Sequence, residues 1–297
     1  MALVITRLMG GLGNQMFQYA AGYALSRRWN VPLFVDPGFL DARPPGMNWT
    51  PRELELDVLK APLSFPTDQQ VRSYRRELDV RAVRVAHRYF PRVFRSRCFV
   101  ERGPGFDPAF LRIKPPIYLE GFWQNEAYFR GVANELRACF EPKGSPTASV
   151  RRTLEDIRTL RSASVHVRRG DYVLNAEASA FHGTCSPAYY QDASRWLVRE
   201  HGVEHFHVFS DDPDWARKNL SLGRPTTFVD PGIGKDAHWD MYLMAHCTHH
   251  IIANSSFSWW GAWLDPHPDK VVVAPNIWYQ GNATPSSHFI PSSWTAR

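Results

Sequence analysis

The chain has 297 residues, 44% hydrophobic and 22% charged, with a net charge of +6. This balance excludes a disordered or fibrous chain, and at about 150 residues per domain it suits two domains. The basic surplus fits an anionic small substrate, an anionic membrane surface or nucleic acid, whereas four scattered cysteines without CxxC spacing indicate neither a disulfide framework nor a zinc knuckle.

Leu3 to Leu8 reads as a buried strand running into the glycine-rich MGGLGNQ and the apolar-periodic Met16 to Trp29. Val31 to Asp36 reads as a second strand, which makes a βαβ unit and a parallel sheet. No element is assigned from Pro37 to Pro66. Asp68 to Tyr89 reads as a helix. Arginines recur from Arg72 to Arg102 at helical spacing, as a solvated face or, alternatively, a contact for an anionic membrane or glycolipid. Ile117 to Phe122 reads as a strand and Asn125 to Phe140 as a helix.

Glu141 to Ser149 (EPKGSPTAS) is the best linker, and it divides the chain into domains 1–145 and 146–297. Beyond it strands and helices alternate: strand Ala163 to Arg168, helix Pro187 to His201, strand His205 to Ser210, helix Asp214 to Leu220. Strand Thr226 to Val229, helix Asp236 to Cys247, strand Ile251 to Ala253, helix Phe257 to Leu264 and strand Val271 to Ala274 follow. Such alternation is a doubly wound α/β pattern, whose ligands sit beyond the carboxyl ends of the strands. Polar motifs gather at those ends in both halves, so the expected architecture is α/β with a nucleotide cleft between two Rossmann-type domains.

GGLGNQ lacks the G-x-G-x-x-G spacing and the Walker lysine, but Gly10, Gly11 and Gly13 permit close backbone approach at a helix start, and Asn14 adds a donor. HVRRGD, His166 to Asp171, sets two arginines at a strand mouth, and planar guanidinium groups match phosphate oxygens. Arg168 shares a face with His166 and is preferred for the diphosphate, while Arg169 and Asp171 can brace each other. In SDD, Asp211 and Asp212 suggest a divalent-metal pair, but Asp212 before Pro213 suits an N-cap. His246, Cys247, His249 and His250 form a second metal-like cluster, better explained by its place at a helix end. Asn254 to Phe257 opens a helix, where Ser255 and Ser256 offer donors to phosphate, and Trp259, Trp260 and Trp263 pack inward. Asp240 has an acceptor pair suited to guanine.

Together, GGLGNQMFQYA, YLEGFWQNEAYF, HVRRGDY, HVFSDDPDW and LMAHCTHHIIANSSFSWWGAWL resemble glycosyltransferase family 11, the α-1,2-fucosyltransferases, over essentially the whole chain. The resemblance implies a GT-B-like fold, GDP-β-L-fucose as donor, inversion at the anomeric carbon and no obligatory metal or other cofactor. Domain 1–145 would then be the acceptor side and 146–297 the GDP-fucose-binding domain. By position in related fucosyltransferases it assigns Asn14 to fucose and diphosphate, Arg168 to the essential arginine, His166 and Asp240 to guanine, and Ser255 and Ser256 to phosphate. The donor set expected from residues and resemblance is Gly11, Gly13, Asn14, His166, Arg168, Asp212, Asp240, Asn254, Ser255, Ser256 and Phe257. Val167 stands where the family often has Ile, and His238-Trp239 where acidic residues are common.

In the implied reaction a proton leaves the acceptor hydroxyl, and Asp171, Glu177, His182 or a phosphate oxygen could take it. The catalytic set is therefore Arg168, Asn14, Asp171 and His182. The expected acceptor is a terminal β-galactoside, as an oligosaccharide or a lipid-linked glycan, in bacterial surface polysaccharide synthesis. Another fucosyl linkage, or a catalytically silent GDP- or glycan-binding protein, are the alternatives. Nucleic acid is not an expected partner, because the arginines lack interleaved aromatic motifs. The opening apolar run is too short for a signal peptide and no segment reaches about 18 apolar residues. A cytoplasmic enzyme is expected, with peripheral contact to the inner membrane face as a variant of that location.

Overall fold

The computed structural model describes residues 2–41, 51–79, 96–170, 173, 176–230 and 234–297. It forms two compact units, Met1–Met47 with Pro51–Phe140, and Asn48–Thr50 with Glu141–Arg297. Each is an α/β layer structure on a parallel sheet.

In the first unit, β1 (Val4–Arg7) is buried along Val4, Ile5 and Thr6, so residues on both faces of the strand are covered. It leads into α1 (Leu12–Trp29), buried around most of its circumference. A Cβ on Gly22 would sit 2.8 Å from Leu33 Cδ1, so the glycine lets α1 lie close to the sheet. The helix ends at Asn30, in the left-handed region at φ 49°, which returns the chain to β2 (Leu33–Asp36). The short α2 (Gly38–Asp41), α3 (Asp68–Asp79), β3 (Cys98–Val100) and β4 (Ile117–Glu120) follow. The sheet order is β2-β1-β4-β3, all parallel. The expected single helix over Asn125 to Phe140 is instead two 3-10 turns, Glu126–Tyr128 and Arg130–Val132, and a short α4 (Ala133–Cys139). Asn125 Oδ1 accepts from Ala127 N–H at 2.9 Å, and Gly131 disfavours a continuous helix.

The second unit opens with α5 (Ala148–Thr159), capped by Thr147, so the end of the proline- and glycine-rich stretch is a helix start. Then come β5 (Ser162–Val167), α6 (Ala176–His182), α7 (Pro187–His201), β6 (His205–Ser210), α8 (Pro213–Asn219), β7 (Thr226–Phe228) and α9 (His238–Met244). The chain closes with β8 (His249–Ile251), α10 (Ser256–Trp263), β9 (Val272–Ala274), the β10 (Ile277–Tyr279) and β11 (Thr284–Pro285) ribbon, and β12 (Thr295–Ala296). Strand β8 starts two residues earlier than expected, which places His249 and His250 inside the sheet.

The six-stranded order is β12-β9-β8-β5-β6-β7, parallel throughout. Renumbered within this unit the order is 3-2-1-4-5-6, the doubly wound pattern of a Rossmann fold. One face of the sheet carries Ala163, Val165, Val167, Phe206, Val208 and Ile251, packed on Tyr190, Ala193 and Leu197 of α7. Connections leave β5 and β8 in opposite directions. The crevice outside their carboxyl ends is where such sheets hold ligands.

Candidate functional site

The two loops at that crevice are Arg168 to Gly170 after β5 and Ile252 to Ser255 after β8. Register aligns Val167 with Ser210 on the neighbouring β6, which brings the residues after them face to face. Asp211 Oδ1 accepts from Arg169 N–H at 2.8 Å and its Oδ2 from Gly170 N–H at 3.0 Å. The same carboxylate meets Arg168 Nη1 at 2.9 Å. A Cβ at position 170 would fall 2.7 Å from Asp211 Oδ2, so glycine is needed for the backbone to reach this carboxylate.

Arg169 takes a different course. Its Nε meets Asp212 Oδ2 at 3.1 Å and its guanidinium lies 3.9 Å over the Trp215 ring. Asp212 Oδ1 accepts from Trp215 N–H at 3.2 Å, the N-cap of α8. The brace on Arg169 is therefore Asp212 with Trp215. Asp171, expected in that role and as a catalytic residue, lies outside the described residues. Asp212, expected in the donor set, has one oxygen on the α8 cap and the other on Arg169, and so braces this loop. Asp211 is the residue sequence reasoning missed as a holder of Arg168. The signal was present: an acidic pair and RRG at the ends of adjacent parallel strands.

His166, near the end of β5 and two residues before Arg168, is 5% exposed. Burial pulls its imidazole down to about 4, opposed by Asp211 and reinforced by Arg168, so the ring is neutral at pH 7. Its Nδ1 is buried without a hydrogen-bond partner among the described residues. The Phe257 ring centroid is 5.5 Å away.

After β8, Ser255 is the N-cap residue of α10 and is buried, yet its side chain makes no capping bond. Ser258 Oγ accepts from Ala253 N–H at 2.8 Å, while Ser256 and Phe257 are half-buried in the first turn. First-turn amides without a side-chain cap are suited to an anion. Asn254, expected in the donor set, uses its side-chain amide within the chain. Its Nδ2 donates to the carbonyls of His182 at 2.9 Å and Trp278 at 3.1 Å, and the residue is 2% exposed. These bonds tie the end of α6 and the end of β10 to the switch-point loop. Asp240 lies half-buried in the first turn of α9.

In the first unit, GGLGNQ, the expected anion cradle, has a carboxylate of the chain at its helix start. Helix α1 starts at Leu12, and Leu12 N–H donates to Glu55 Oε2 at 2.9 Å, so the chain's own carboxylate holds this helix start. Gln15 straps the two segments, donating to the Gly10 and Glu53 carbonyls and accepting from Glu55 N–H. A Cβ on Gly11 would be 3.6 Å from Glu55 Oε1, and Gly13 is buried inside the helix. Asn14 Oδ1 accepts from Gln124 Nε2 at 2.7 Å. On α3, Arg72, Arg75 and Arg76 line an open recess of about 500 Å³ with Arg7, Asp36 and Asp68, while the arginines between 80 and 95 lie outside the described residues.

The histidine cluster disperses. His250 Nδ1 pairs with Ser164 Oγ at 2.9 Å and its Nε2 with Asp265 at 3.0 Å, all in the core. His246 Nδ1 bonds the Tyr242 carbonyl, and His249 Nδ1 accepts from Val271 N–H. Among the described residues no helix is long and apolar enough to cross a membrane. Trp259, Trp260 and Trp263 are buried, as expected.

The model of Glycosyl transferase family 11 matches residues 74–295. An Alpha-1,2-colitosyltransferase of Escherichia coli is 36% identical over 306 residues, covering 99% of this chain and 98% of its own. The O-antigen biosynthesis glycosyltransferase WbnK of Escherichia coli is 33% identical, covering 93% and 94%. A Galactoside alpha-(1,2)-fucosyltransferase 1 of Saimiri sciureus is 29% identical over 160 residues, 50% of this chain and 43% of that one. Of solved structures, an Arabidopsis thaliana FUT1 mutant in complex with GDP is similar at a TM-score of 0.48 and 14% identity, over 98% of this chain and 72% of that one. A doubly wound unit with its arginine loop at the switch point, and a family match running through both units, make this chain a member of glycosyl transferase family 11.

Proposed function

We propose that the protein is an inverting α-1,2-glycosyltransferase that moves a 6-deoxy-L-hexose from its GDP-activated form to the 2-hydroxyl of a terminal galactoside in surface polysaccharide synthesis. The observation that carries this reading is Arg168, fixed by Asp211 at the switch point beside the uncapped start of α10. Arg168 and the α10 amides, with the Ser255 and Ser256 hydroxyls, hold the diphosphate. Negative charge grows on the β-phosphate oxygen as its bond to the anomeric carbon breaks, and preorganised donors stabilise that charge. His166, Phe257 and Asp240 receive the base. The acceptor O2 attacks the opposite face and gives its proton to His182 or Asp171. With a guanidinium and a helix start already facing the diphosphate, transfer does not require a metal.

L-Fucose is the first donor proposed, as the relatives named galactoside α-(1,2)-fucosyltransferases suggest. The 36% identity to a colitosyltransferase favours a second reading, colitose, which is fucose without its 3-hydroxyl. The test is to incubate the protein with GDP-fucose or GDP-colitose, with and without EDTA, against a panel of galactosides, and to read the product linkage by NMR. An α-1,2 product unaffected by EDTA is expected. Transfer from neither donor, or a product of another linkage, would sink the proposal.

A further inference from the structure

The second unit carries an aromatic group that the donor reading does not use. Phe181 and His182 end α6, and Tyr279 ends β10. Phe181 and Tyr279 lie 4.7 Å apart between ring centroids with planes 32° apart, and the His182 ring stands 5.4 Å from Tyr279. Phe181 is 43% exposed, an unusual place for a large apolar ring beside a ligand crevice. The backbone is built to hold these rings together. A Cβ on Gly281 would lie 2.9 Å from the Ala180 carbonyl and 3.1 Å from Phe181 Cα, so the turn after β10 rests directly on α6.

Both halves of the group are fixed by one side chain. Asn254 donates to the carbonyl of His182 itself and to that of Trp278, the residue before Tyr279. The next residue, Ser255, opens the start of α10 where the diphosphate is proposed to bind. The rings are therefore registered to the donor site through a single buried amide. A pyranoside with an apolar C–H face stacks on such rings, and galactose presents one, because its axial 4-hydroxyl leaves the hydrogens on C3, C4 and C5 together.

We propose that Phe181 and Tyr279, with His182 at their edge, form the platform on which the acceptor galactoside stacks, and that Asn254 positions this platform against the donor loop. The inference rests on the proposed function for the identity of the sugar. The test is ligand-observed saturation-transfer NMR with methyl β-D-galactoside in the presence of GDP, on the wild-type chain and on the Phe181→Ala, Tyr279→Ala and Tyr279→Phe variants. Enhancement at H3, H4 and H5 is expected for wild type and Tyr279→Phe, with affinity about 3- to 10-fold weaker in the alanine variants and calorimetric GDP affinity unchanged. Circular dichroism checks that each variant is folded. No enhancement in wild type, equal enhancement in the alanine variants, or a fall in GDP affinity instead, would overturn the platform. This readout needs no turnover, so failure of transfer from both donors would reject the proposed function separately.

Discussion

Each unit runs a strand into a helix at the carboxyl edge of a parallel sheet, β1 into α1 in the first and β8 into α10 in the second, and the two helix starts are treated in opposite ways. At α1 the Leu12 amide is met by Glu55, a carboxylate 43 residues further along the chain. At α10 the Ser255 side chain makes no capping bond, and Arg168 stands at the neighbouring strand end, paired with Asp211. A helix start attracts an anion through its unsatisfied amides and dipole. Glycine-rich sequence by itself does not create that site; it remains available only where the fold supplies no anion of its own.

The largest test of this contrast is Arg168→Ala. Losing a charged donor to the departing diphosphate should lower kcat by about a hundredfold or more, about 3 to 4 kcal/mol in the barrier. Near-normal turnover in steady-state assays would remove the second unit as the seat of charge stabilisation.

Acid should separate the units next. His166, His207 and His249 all lie in the second unit, and burial holds each at about 4. An unfolded histidine titrates near 6.5, so as pH falls the unfolded chain takes up protons before the folded one does. The stability these groups contribute is complete above pH 6.5 and is lost progressively toward pH 4, by about 3 kcal/mol for each histidine. Hydrogen exchange followed from pH 7 to 4.5 should show the second unit opening first. Earlier opening of the first unit would contradict this assignment of the acid-labile groups.

A capping carboxylate placed on α10 should convert it into the other kind of helix start. Ser255→Asp is expected to weaken GDP binding by about tenfold or more, about 1.4 kcal/mol, because the new charge occupies the phosphate position. The melting temperature should hold or rise slightly, since aspartate is a good N-cap. Unchanged GDP affinity by calorimetry would mean the diphosphate binds elsewhere.

How far the sequence disclosed these features followed the range of the interactions involved. Helix α7 and strand β6 were read to the residue because their signals are local: Ser186 caps, Pro187 follows it, and Gly202 ends the helix at φ 63°. Edge strands β3 and β12 escaped, since three and two residues carry too little alternation to register. Arg168 was legible as the candidate for the phosphate contact because it follows the strand end two residues after His166. Asp211 was not, because its role appears only when β5 and β6 are set in register. Asn254 looked like a ligand residue from its place in a polar motif. Its bonds to His182 and Trp278, 72 and 24 residues away, are invisible to any local pattern.

Glu55 belongs to the same class of long-range contact, and it gives the smallest and most discriminating test. Glu55→Gln keeps the shape of the side chain but removes the charge facing the Leu12 amide. If this carboxylate only caps α1, the variant should lose about 1 kcal/mol of stability in denaturant unfolding, with GDP affinity unchanged. If the glycine-rich turn instead receives the donor diphosphate, removing a like charge there should tighten GDP binding. Only the second outcome moves GDP affinity, so one calorimetric titration decides whether the first unit's helix start is closed by its own chain or waits for a ligand.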